Sequence, residues 1–144
     1  MSFRAHGVLL AAILSFGCGG PFRSLTSEQR LPSGRVVKVT SCLLVWGVEH
    51  DERHTSQDSF ALEYVSPTIE SAPAGLESEA LEVFELIRPI SEQWGFVTAS
   101  VSAFPSPERT GKYQIFLFSR DPSGHWSHAS HSSKVFNTES GRKE

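Results

Sequence analysis

Three histidines close together near the end of the chain, His125, His128 and His131 in GHWSHASHSSK, are the residues best suited by type to do chemistry. Imidazole is the commonest transition-metal ligand, and three rings with one open position suit Zn²⁺ or Cu²⁺. On a strand, residues three apart point to opposite faces. The three rings therefore converge only if the segment forms a loop, a bulge or a helical turn. The competing expectation is a solvated, serine-rich segment in which histidine is one more polar residue. A second cluster, His50-Asp51-Glu52-Arg53-His54, has two histidines at the spacing of the zinc-protease motif H-E-x-x-H. That motif needs a Glu next to the first histidine as the base, and Asp51 stands there instead. With no apolar helical face, the segment reads as a hairpin loop.

Other chemistries find less support. Serine is abundant, but no G-x-S-x-G elbow surrounds one, and no phosphate-cradling G-x-x-x-x-G-K-[ST] or G-x-G-x-x-G occurs. Cys42 lies inside the apolar run Val36 to Val48, where a cysteine behaves as a small buried hydrophobe rather than a reactive thiolate. No residue is assigned a catalytic role. The formal net charge of −3 and the scattered basic residues argue against nucleic acid, which is bound through clustered Lys and Arg.

The start of the chain is more specific. Arg4 supplies a short positive region, and Val8 to Phe16 (VLLAAILSF) is an apolar stretch of the length of a signal-peptide core, too short to span a bilayer. It runs into Leu14-Ser15-Phe16-Gly17-Cys18, which resembles the lipobox of bacterial lipoproteins: a small residue directly precedes the cysteine. The resemblance covers residues 14 to 18 only. It implies cleavage before Cys18, acylation of that cysteine and attachment of the exported domain to a membrane through its lipid. In a Gram-negative host, Gly19 after the cysteine favours the outer membrane. Cys18 and Cys42 are the two cysteines, so either Cys18 carries lipid or the pair forms one disulfide. The lipidated reading fits a buried Cys42 better.

The elements that must position these residues follow from periodicity. Residues 18 to 34, rich in Gly, Pro, Ser and charge, read as a flexible tether, residues 35 to 137 as a single domain, and 138 to 144 as a disordered tail. Val36 to Val48 reads as a central strand, and Phe60 to Val65, which alternates, as its hairpin partner. Leu76, Ala80, Val83, Phe84, Ile87, Ile90 and Trp94 recur at helical spacing, with Glu77, Glu79, Glu82, Glu85 and Glu92 mostly on other faces. Gly95 is placed to stop that helix, and Pro89 predicts a kink or a division into two. Val97 to Ala103 and Tyr113 to Phe118 read as a third and fourth strand, and Trp126 opens a short fifth. The expected fold is α+β: an antiparallel or mixed sheet of four to five strands with one helix layer, in the order β-β-α-β-β with an optional last β.

If both faces of the Tyr113 to Phe118 strand carry aromatic side chains, the face away from the helix needs a cover, such as a partner, a self-associated sheet edge or an apolar ligand. The leading expectation is thus a non-enzymatic, membrane-tethered lipoprotein of the cell envelope with a binding or structural role toward an envelope protein. A metal-binding periplasmic protein using His125, His128 and His131, and a small extracytoplasmic hydrolase, are the alternatives.

Overall fold

The computed structural model describes residue 25, residues 27–45 and residues 58–136. The expectations for the signal segment and Cys18, for the His50 to His54 cluster and for the tail from 138 onward lie outside the described residues. Six strands form one sheet in chain order: β1 (Ser27–Arg30), β2 (Val36–Val45), β3 (Ser59–Val65), β4 (Thr98–Phe104), β5 (Gly111–Arg120) and β6 (Trp126–Phe136). Helix α1 (Leu76–Gln93) connects β3 to β4. These two strands pair in parallel, from Ser59 with Thr98 to Val65 with Phe104, and every other neighbouring pair is antiparallel. The sheet is therefore mixed, two three-stranded meanders joined along one parallel ladder, as a crossover helix requires.

The α+β class and, among the described residues, the one α-helix agree with the expected architecture. The described strands number six rather than four to five, with β1 ahead of the expected series. Strand β1 arises within the stretch expected to be a tether, because Leu25 and Leu31 on either side of it are buried in the core. Strand β6 is eleven residues long rather than a short extension of Trp126. Its serines and histidines carry no apolar alternation, so backbone pairing with β5, not burial, makes it a strand.

Alternation on the sheet decides where α1 lies. Phe60, Leu62 and Tyr64 of β3, Ala99, Val101 and Ala103 of β4, and Phe116 and Phe118 of β5 are buried on one face. Against them α1 buries Leu76, Ala80, Val83, Phe84 and Ile87. Each large side chain taken fully out of water contributes about 1.5–3 kcal/mol. Small Ala99 and Ala103 let the helix sit close over β4. Phe84 stacks on Phe118 with ring centroids 4.1 Å apart. The helix runs unbroken past Pro89, so of the expected kink or division the division does not occur. Pro89 is exposed near the C-terminal end, and the Glu85 carbonyl it deprives of a donor is on an exposed residue, so the lost bond is not buried in the core. Gly95, with φ 73°, ends the helix as expected; its N–H donates to the Glu92 carbonyl at 3.1 Å, and the Phe96 N–H to the Ser91 carbonyl at 2.9 Å. Among the described residues, no helix is long and apolar enough to cross a membrane.

Candidate functional site

One helix cannot cover six strands. α1 lies over β3 and β4, leaving a furrow between its flank and the helix-side face of β5 and β6. The β5–β6 register explains what lines it. Leu117 pairs with Ser130 but Phe118 pairs with His128, so Ala129 is an extra residue on β6, a β-bulge. The bulge cancels the alternation that would separate His128 from His131. Both rings emerge on the helix side, opposite Phe118 and Phe116 respectively.

The two rings flank Phe116. His131 stacks on it nearly parallel, 4.5 Å between centroids and 3° between planes, and its Nε2 lies 2.5 Å from Gln114 Oε1. His128 is tilted against Phe116 at 5.7 Å and against Phe118 at 5.6 Å. Its Nδ1 lies 3.0 Å from Glu77 Oε1 in the first turn of α1, and its Nε2 lies 3.0 Å from the Ser130 carbonyl oxygen. Further along the same wall the Trp126 indole N–H donates to Glu92 Oε1 at 3.0 Å, and its ring meets Phe84 edge to face at 5.3 Å. The furrow thus runs above the buried Phe116 and Phe118, between β6 and a helix rim bearing Glu77, Glu85, Arg88 and Glu92.

Clefts lie in it and beside it. One of about 510 Å³ lies off its end, between Pro73, Pro105, Thr110 and Lys112. A second of about 350 Å³ lies between Leu76, Glu77, Gln114, Phe116 and His131. A third of about 210 Å³ lies beyond the Glu77–His128 contact, between Leu81, Arg88, Trp126 and His128.

Of the sequence-predicted histidines, His128 and His131 come together on one face and His125 does not join them. His125 sits in the β5–β6 turn, where its backbone N–H donates to Asp121 Oδ1 at 2.9 Å and the Ser123 hydroxyl donates to the same oxygen at 2.6 Å. These bonds, that of Ser123 first, hold the Asp121 carboxyl below the usual carboxylate range. Among the described residues, no three His, Cys, Asp or Glu side chains are grouped to hold a metal ion. The partners of His128 and His131 are a carboxylate, a carbonyl and an amide, groups that orient a ring rather than nucleophiles that a ring would activate.

A second polar cluster lies beneath α1. Glu79 is fully buried, although its place among the acidic residues of the helix suggested a solvent face. The Ser66 and Thr68 hydroxyls donate to its two carboxylate oxygens. Ser66 Oγ in turn accepts the backbone N–H groups of Thr68 and Ile69 at 3.1 and 3.0 Å. Burial first, and then the negative charge of Glu79, push the Tyr64 phenol well above the ordinary tyrosine range, with Arg35 opposing. A carboxylate so enclosed reaches no substrate; it ties the segment after β3 to the helix. The signal for it was available, since Glu79 falls three residues after Leu76 and four before Val83, inside the apolar stripe.

On the opposite face of the sheet, Phe104 and Tyr113 stack at 4.7 Å. Arg109, at φ 58°, lays its guanidinium over Phe104 at 5.9 Å and pairs with Glu63. The loop after β4 thereby folds back to cover part of this face. Neither Gln114 nor Glu77 carried a sequence signal linking it to a histidine. No family model, curated protein or solved structure matches the chain.

Proposed function

We propose that the chain is an exported, lipid-anchored protein of the cell envelope whose domain binds a partner protein through the furrow and carries out no reaction of its own. The single observation that carries the location is the apolar segment Val8 to Phe16 running into Gly17-Cys18. Several acyl chains on Cys18 hold a domain at a membrane, where one does so marginally. The binding role is supported by the furrow between α1 and β6, whose helix rim carries Glu77, Glu85 and Glu92 with Arg88 among them and whose other wall carries Trp126 and His131, which suits an extended segment carrying Lys or Arg.

Intact mass spectrometry of the chain recovered from membranes, beside a Cys18→Ala variant, tests the anchor. A mature N-terminus at Cys18 bearing acyl mass, lost in the variant, is the expected result. A full-length unmodified chain in the soluble fraction refutes the anchor and returns residues 1 to 17 to the protein.

A further inference from the structure

His128 joins the two walls of the furrow, and the chemistry of its partners makes that junction depend on a proton. Glu77 Oε1 and the Ser130 carbonyl oxygen, each 3.0 Å from one of its ring nitrogens, are both acceptors. Each nitrogen must therefore donate for both bonds to exist. Only the imidazolium carries a proton on each; a neutral ring gives up either its hold on α1 or the bond that fixes it to β6. Histidine is the side chain whose charge ordinarily changes between about pH 5 and 8.

The contact also has a strategic place. On one side of it lies the cleft lined by Glu77, Phe116 and His131, and on the other the cleft lined by Leu81, Trp126 and His128. We propose that the Glu77–His128 contact is a proton-dependent crossbar that divides the furrow when the ring is charged and loosens when it is neutral, so that the two clefts open into one groove. Its regulatory meaning rests on the furrow being the binding surface; the crossbar itself does not.

The neighbouring charges leave Glu77 as the controlling group. From α1, Glu85 and Arg88 pair with one another at 3.0 Å, and Glu92 accepts the Trp126 indole. Strand β5 presents Phe116 and Phe118, which carry no charge. On β6, His131 is bound to Gln114, and His125 is in the turn.

Amide hydrogen exchange of Ser127 to His131 in the ligand-free full chain, corrected for intrinsic rates at pH 5.5 and 7.5, tests this independently of any partner. Wild-type protection should fall about two- to fivefold at the higher pH, the range of a partly exposed ion pair. Glu77→Gln distinguishes the proposal from a merely structural contact. An amide can turn its N–H toward a neutral Nδ1 while Nε2–H keeps Ser130, so protection should remain at its low-pH level at both pH values. Glu77→Ala should lose it at both, with β3 and β4 amides unchanged as the control for folding. Equal pH ratios in wild type and Glu77→Gln, or full protection at pH 5.5 in Glu77→Ala, overturn the crossbar.

Discussion

The Ser66 hydroxyl donates to Glu79 while accepting two backbone N–H groups from the turn after β3, so one side chain satisfies both a buried carboxylate and a chain reversal. Removing the carboxylate leaves the Ser66 and Thr68 hydroxyls facing a void. Glu79→Ala should cost about 3 kcal/mol of stability, and Glu79→Gln distinctly less, because an amide still accepts one hydroxyl and donates to the other. Urea unfolding checks the order of the two variants; an alanine no worse than the glutamine contradicts it.

Tyr64 sets an alkaline limit. Its pKa is raised in the folded chain above the unfolded value near 10. The folded state therefore holds the phenol proton more tightly, and this contribution is whole below about pH 10 and drains away as pH rises beyond it. Stability followed from pH 9 to 11 should decline more steeply in wild type than in Tyr64→Phe, with the Tyr64 tyrosinate absorbance appearing together with unfolding. Ionisation of Tyr64 in a chain that stays folded would contradict this.

Phe118 ties the furrow to the core, being buried, stacked on Phe84 and in contact with His128. Phe118→Ala should cost about 3–5 kcal/mol. Differential scanning calorimetry beside Phe118→Leu, which keeps most of the volume, separates cavity formation from loss of the ring stack.

At the tip of β5–β6, Gly124 adopts φ 90° and an added Cβ would come within 3.3 Å of Arg120 Nη2. Gly124→Ala should cost about 1 kcal/mol, and amide shifts in an NMR spectrum should be confined to Arg120 through Trp126. Shifts spreading to β3 would mean that the turn sets more than its own hairpin.

Strands β3, β4 and β5 were legible because each buries alternate apolar residues, β2 because of its near-continuous β-branched and apolar run, and α1 because Leu76, Val83, Ile87 and their neighbours repeat at helical spacing. β1 and the length of β6 were not, since both are held by pairing with a neighbour's backbone, which side-chain periodicity does not record. Of the candidate site, the histidines themselves stood out in the sequence. What they do did not, because it depends on one extra residue, Ala129, turning two of them toward Glu77 and Gln114. A bulge changes facing without changing composition.

The parallel ladder between β3 and β4 has a consequence for how the chain acquires its structure. On either side of it each strand pairs with its sequence neighbour, so both meanders can form early from contacts close in the chain. The seam between them forms only after the crossover through α1 is in place, which makes it the slow, entropically demanding step. A backbone nick in the Pro67 to Ala72 segment would then leave two fragments, each a set of three strands, whose association re-creates the sheet and can be followed as a bimolecular reaction.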